Sequence, residues 1–359
     1  MDLNLQSFLN LFIPVVGFCT LLILWPALTF RSIVMRMFNT VFEENMRGKI
    51  VLITGASSGI GEQTAYQYAK KGAVLVLISR REDKLRSVAD KCIKQGAMDV
   101  RAIRADVSKE EDCRRFVEDT VHQYGRLDHL VNNAGVLQGF LFEEAKDANV
   151  LAMIWNISFW GLVYPTFYAI EHLKRSKGRI VVIASVASWL PQPRMSVYNA
   201  AKAAAFNFFD TIRIELGPRI GGITIVTPAF VESEMLMGKH VNKKGEVEWR
   251  EEQRDLQVGP APVAYAEECA KAIVRGAVRG HRYVRYPYWT TVLLLFRVFT
   301  PELIDFFLCL FYMTPMPGRK DKAPLSKVIM EIPGAKSLLY PATIRNIHEK
   351  HQRKRQPSK

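Results

Sequence analysis

Two residues four apart, Tyr198 and Lys202 in the run Tyr-Asn-Ala-Ala-Lys, fall on one face of a helix. A phenol is a poor base at its reference pKa of about 10. A cation within a few ångströms favours the phenolate and brings general acid–base work toward neutral pH. Ser185 ends the preceding apolar run, and its hydroxyl could bond a substrate oxygen. Asn156 lies in a long helical pattern and could hold a water that connects Lys202 to solvent. Taken singly, each residue is ordinary, and Tyr-x-x-x-Lys on a helix is common.

A second constellation precedes these four. Thr54-Gly55-Ala56-Ser57-Ser58-Gly59-Ile60-Gly61 follows an apolar run and opens a helical one. That is the context a dinucleotide fingerprint requires. Gly55 permits the tight turn, and Gly59 lets a pyrophosphate approach the positive end of the helix. Ser57, Ser58 and Ile60 would lie along the coenzyme, and Gly61 allows close helix packing. A plain structural turn is the alternative. The second strand ends Ser79-Arg80-Arg81, with no carboxylate for ribose hydroxyls. Arg80 can pair bidentately with a 2′-phosphate, which points to NADP(H). Solvated arginines are the competing reading. Asp106-Val107 ends the third run, where the carboxylate could meet an adenine amino group. Asn133, Ala134 and Gly135 close the fourth beside the coenzyme.

The elements that must position these residues alternate. Apolar β-rich runs cover 49–54, 73–79, 99–107, 129–132, 179–185, 222–227 and 282–286. Helical patterns cover 61–71, 83–95, 110–124, 147–174, 197–216 and 262–279. Such alternation predicts an α/β fold, a doubly wound parallel sheet in a single domain. The run Val74-Leu75-Val76-Leu77-Ile78 fits a sheet buried on both faces.

In this order the motifs resemble the short-chain dehydrogenase/reductase family over residues 47 to 290. The resemblance implies a Rossmann-type fold and hydride transfer between NADP(H) and an alcohol or ketone. It also implies a homodimer or higher homo-oligomer built on helices 147–174 and 197–216. Asn156, Ser185, Tyr198 and Lys202 match the family's catalytic tetrad. Pro228-Ala229 stands where the family usually has Pro-Gly, yet Val231 could still approach the nicotinamide carboxamide. Ser58 replaces the basic residue of many NADP enzymes, leaving Arg80 to set coenzyme choice. The glycine turn, Ser-Arg-Arg and an N-terminal apolar segment are similar to the hydroxysteroid 11-beta-dehydrogenase branch. Paired prolines in that segment resemble the steroleosins of plant oil bodies. That implies a sterol or steroid substrate and a lipid-droplet or endoplasmic-reticulum surface, with the catalytic domain in the cytosol. A 3-keto lipid reductase and a droplet-coat protein with a vestigial enzyme domain are the alternatives.

The outer segments carry the rest. Leu3–Phe30 holds no charge over 28 positions, longer than the roughly 20 residues a spanning helix needs. Pro14 and Pro26 lie inside it. Proline removes a backbone donor, so the segment either spans with two kinks or dips into one leaflet, the second being slightly favoured. Basic residues follow it, which keeps that flank cytosolic. Expected boundaries are an anchor at 1–46, the enzyme domain at 47–288, an apolar helical extension at 289–314 and a basic, mobile tail at 315–359. The segment from Phe230 to Gly259 reads as a substrate loop, apolar at first and then highly charged. Its start could line a lipophilic pocket; a solvated lid is the alternative.

Net charge is +14, but eleven Lys and Arg against three acids put +8 of it in the tail that begins at Pro315. The folded part is only mildly basic and carries no nucleic-acid motif, so a phospholipid surface is the expected partner. Five scattered cysteines exclude a disulfide scaffold, and no metal site is expected.

Overall fold

The computed structural model describes residues 2–41, 43–317 and 323–345. It divides into two compact units, Met1–Glu44 and Asn45–Lys359.

The first unit is a single helix, α1 (Asp2–Val41), running through both prolines. A segment that dips and returns is therefore not what forms. Each proline deletes one backbone bond, and the apolar turns on either side continue the helix. Its Leu5–Met35 stretch is long and apolar enough to cross a membrane, and none of that window is buried.

The second unit is built on seven parallel strands. In chain order these are β1 (Ile50–Thr54), β2 (Val74–Ser79), β3 (Asp99–Arg104), β4 (His129–Asn132), β5 (Arg179–Ile183), β6 (Gly222–Pro228) and β9 (Tyr283–Tyr286). Across the sheet they run β3-β2-β1-β4-β5-β6-β9. A short antiparallel hairpin, β7 (Lys239–Val241) and β8 (Val247–Trp249), lies between β6 and β9 in the chain. Leu52 of β1 is in register with Val76 of β2 and Leu130 of β4. Successive side chains point to opposite faces. Val51, Ile53, Leu75 and Leu77 thus pack with α2 (Gly59–Ala69), α3 (Glu82–Lys94) and α9 (Ala266–Val278). Leu52, Val76, Ile78 and Leu130 pack with α4 (Glu110–Tyr124), α6 (Gly161–Ser176) and α7 (Ser196–Leu216). Chain order reverses between β1 and β4, which opens a crevice at their carboxyl ends.

Three differences from the sequence expectation matter. The helix expected over 147–174 is broken: α5 (Ala148–Trp155) leads into a wide π-turn, Asn156–Trp160, before α6. The charged loop after β6 is ordered by the β7–β8 hairpin and by α8 (Glu251–Gln257). The described part of the basic tail is helical and packed. After α10 (Thr291–Phe299) and α11 (Pro301–Tyr312), it forms α12 (Leu325–Glu331), α13 (Ala335–Leu339) and α14 (Ala342–Arg345). Met330, Tyr340 and Ile344 are buried there against Leu236, Val258 and Val263. Two tail lysines bond acids of α8, Lys327 to Glu252 and Lys336 to Asp255, both at 2.5 Å. A charge count misses this because the apolar positions are few and their partners lie about 80 residues away in the chain. Residues 318–322 and 346–359, with most of the tail's charge, lie outside the described residues.

Candidate active site

The crevice is assembled by backbone and side-chain bonds between β1 and β4. Thr54 Oγ1 accepts from the amides of Asn133 at 3.0 Å and Ala134 at 3.2 Å. Asn133 Nδ2 donates back to the carbonyls of Thr54 and Gly55 at 3.0 and 3.2 Å. Gly55 has φ +66°, and a Cβ there would lie 2.9 Å from Ala134 Cα. Only glycine tolerates both the angle and the contact. Gly61 sits against Gly55 O and Asn133 Nδ2, both too close to leave room for a Cβ. It packs the helix and, unlike the other coenzyme candidates, does not line the cavity.

Of the expected coenzyme contacts, Gly55, Ser57, Ser58, Gly59, Ile60, Arg80, Asp106, Val107, Asn133, Ala134, Gly135 and Val231 line one continuous cavity. Arg80 is about half exposed and reaches Asp106 at 3.8 Å. It is Arg81 that turns into the glycine loop, donating to Ser57 Oγ at 2.9 Å and Ser58 Oγ at 2.7 Å. Ser79 Oγ donates to the same Ser57 oxygen at 2.8 Å. Lys84, one turn into α3, lies beside Arg81 through a shared partner, Glu234. Both arginines, Arg80 and Arg81, were legible at the end of β2, but which of them turns inward is set by the serines across the crevice. Glu234 lies 153 residues from Arg81, and no local pattern marks it.

At the end of β5 the chemistry residues converge. Ser185 has extended backbone, and its Oγ accepts from the Ala187 amide at 3.1 Å. The Ser185 and Tyr198 side chains both line the cavity, and the Ser185 hydroxyl acts on the phenol. Tyr198 and Lys202 are both buried on the first turns of α7, with Lys202 Nζ 5.9 Å from the Tyr198 ring centre. Lys202 Nζ donates to Ile183 O at 2.8 Å, which ties the helix to β5.

The electrostatics differ from the simplest expectation. Burial pushes the Tyr198 phenol up, and the Ser185 hydroxyl pulls the other way. Burial also pushes the Lys202 ammonium down, to about 8. The lysine's charge therefore does not outweigh desolvation, and Tyr198 is a protonated acid that faces Ser185.

Asn156 does not join this group. It is exposed on the π-turn and is absent from the cavity wall. The wide turn rotates the helix, so Ile157 and Ser158 face inward instead. Ser158 is fully buried, and its Oγ donates to Val136 O at 3.4 Å, next to Gly135. A π-turn inside a helix is a frequent mark of a functional site. It leaves no signature in apolar periodicity.

Beside Tyr198 the cavity opens toward an apolar wall of Leu137, Leu190, Met195, Leu236, Val241 and Val258. Gln192 and Gln257 add two buried amides, joined by a 2.9 Å bond from Gln192 Nε2 to Gln257 O. The donor set fits a dinucleotide: glycines where a Cβ would collide, serine hydroxyls and a guanidinium at the helix start, and a proton donor deeper in.

This fold and this site define a class of proteins, the Rossmann-type oxidoreductases with a Ser-Tyr-Lys centre. The chain belongs to the short chain dehydrogenase family, whose model matches residues 49–244. It acts on hydroxyl groups as an oxidoreductase of that family. It is 50% identical over 351 residues to 11-beta-hydroxysteroid dehydrogenase of Pinus massoniana, covering 97% of each chain. It is 48% identical to 11-beta-hydroxysteroid dehydrogenase 1A of Arabidopsis thaliana, over 95% of this chain and 97% of that one. Among solved structures, an alcohol dehydrogenase from Thermococcus sibiricus complexed with 5-hydroxy-NADP superposes with TM-score 0.55. It is 26% identical and covers 67% of this chain and 95% of its own. A short chain dehydrogenase/reductase from Burkholderia phymatum in complex with NAD gives TM-score 0.64 at 24% identity, over 72% and 96%; it bears on the fold.

Proposed function

We propose that the protein is an NADP(H)-dependent hydroxysteroid dehydrogenase that interconverts a lipophilic alcohol and ketone at a lipid surface. The observation that carries this reading is the convergence of Ser185, Tyr198 and buried Lys202 on one cavity that opens on an apolar wall. A bound nicotinamide coenzyme supplies the hydride in reduction and accepts it in oxidation. The Tyr198 hydroxyl moves the proton, giving it to the ketone oxygen as charge develops there or taking it from the alcohol. Ser185 holds that same oxygen by its hydroxyl. Lys202, anchored on Ile183 O, steadies the phenolate that follows proton release. Ser158, by holding Val136 O, positions the backbone next to Gly135.

The cations Arg80, Arg81 and Lys84, with no carboxylate at the end of β2, support NADP(H) over NAD. The named relatives support a sterol or steroid substrate. Apolar α1 supports a lipid-droplet or endoplasmic-reticulum surface, as do exposed Phe296, Phe299 and Phe306 on α10 and α11. Exposed Phe167 on α6 and Ile214 on α7 support a homodimer through those helices.

Tyr198→Phe is the direct test. Turnover of a steroid alcohol should fall by roughly 10² to 10⁴-fold, while coenzyme affinity in a titration is kept. Full activity of the variant would refute the proton-transfer role. Screening steroids against long-chain 3-keto lipids separates the favoured substrate class from the other.

A further inference from the structure

Glu234 sits where the substrate loop crosses the glycine turn. Its neighbour Ser233 places Cβ 3.1 Å from the position a side chain on Gly59 would occupy. The carboxylate is largely buried and accepts from three cations. Arg81 Nη1 reaches both oxygens, at 2.6 and 2.5 Å. Lys84 Nζ donates at 2.6 Å and Lys239 Nζ at 2.8 Å. Those three donors hold the Glu234 carboxyl at about 2, so it is ionised at any physiological pH. Arg81 lines the cavity beside the glycine turn and Lys84 joins it through Glu234, whereas Lys239 opens β7 of the lid. One carboxylate thus joins the coenzyme cations to the lid.

We propose that Glu234 is a clasp that reads the coenzyme's 2′-phosphate: phosphate and carboxylate compete for Arg81 and Lys84, and the phosphate's arrival frees the lid at Lys239. This rests on the NADP(H) reading. A phosphate monoester carries nearly twice the charge of a carboxylate and a third acceptor oxygen. The three cations and one carboxylate leave the cluster net positive, which attracts a dianion. An adenosine ribose without the phosphate has no charge with which to displace Glu234. By linkage, whatever the clasp contributes to holding the lid is subtracted from 2′-phosphate affinity.

The experiment is calorimetric titration of the full chain, wild type and Glu234→Gln, with 2′,5′-ADP and with 5′-AMP. The variant should bind 2′,5′-ADP about tenfold tighter than wild type and leave 5′-AMP affinity within about twofold. If wild type prefers 2′,5′-ADP but the variant gains nothing, the clasp is overturned and the coenzyme reading stands. If neither protein distinguishes the two nucleotides, both fall. A second measurement needs no variant. Trypsin should cut wild type faster between residues 239 and 254 when 2′,5′-ADP saturates the site, and at an unchanged rate with 5′-AMP. Unchanged or slower cleavage with 2′,5′-ADP overturns the proposal.

Discussion

At Lys202, burial sets both stability and chemistry. An unfolded lysine keeps its proton to about pH 10.5, whereas the folded one releases it near 8. Between those values the unfolded chain binds more protons, so stability rises with pH across that window. Below pH 8 the folded state carries a buried charge. Lys202→Met should therefore raise the unfolding temperature at pH 7, a gain that shrinks as pH approaches 10.5, and should lower kcat sharply. Calorimetry across pH checks the first, steady-state kinetics the second. A variant less stable at pH 7 would mean that the bond to Ile183 O outweighs desolvation. Ser158 and Asn156 give a paired test. Ser158→Ala removes a buried hydroxyl bonded to Val136 O, and should cost about 1 kcal/mol with a fall in kcat. Asn156→Ala, at an exposed position, should stay within about 0.5 kcal/mol of wild type with kcat unchanged. The reverse ranking would restore Asn156 to the site.

Among the elements, the lid shows how distant segments complete a pocket. The hairpin β7–β8 and helix α8 bear the cavity residues Val241, Val247 and Gln257, and the tail helices brace them from behind. Ser326 Oγ donates to Leu256 O at 3.2 Å, and the Tyr340 hydroxyl to Gly259 O at 3.3 Å. The Arg254 guanidinium lies 5.1 Å over the Tyr340 ring. Tyr340→Ala should cost roughly 3 kcal/mol, as large-to-small changes at buried aromatic positions do. It should also raise KM for the lipophilic substrate more than for the coenzyme. Denaturant titration and paired KM measurements check both. Equal changes in the two KM values would separate the tail from the substrate wall.

For the whole molecule, the division after Glu44 carries a prediction about location. Deleting residues 1–44 should leave a folded, coenzyme-binding domain, because the sheet and its two helical layers lie entirely beyond that point. The truncated chain should lose most of its flotation with phospholipid-coated droplets. Residual flotation abolished by changing Phe299 and Phe306 to Ser would assign the remainder to α10 and α11. Flotation equal to the full chain would show that α1 is dispensable for lipid attachment.

What the amino-acid order determined by itself was local and periodic. Every β-rich run became a strand, and in β2 the five consecutive apolar residues Val74 to Ile78 have few ways to leave water except between two helical layers. Gly55, Ser185 and the Tyr198–Lys202 pair were legible because each is defined by neighbours within a turn or two. Three decisions belonged to the tertiary structure. The π-turn left Asn156 exposed and turned Ser158 inward, since rotation of a helix about its axis is set by what packs on it. The serines of the glycine turn chose Arg81 over Arg80 for the inner position. The lid recruited Glu234, Lys327 and Lys336 into ion pairs that span 75 to 153 residues of chain. Contacts over such separations leave no spacing to read, because their geometry exists only once the sheet has brought the segments together.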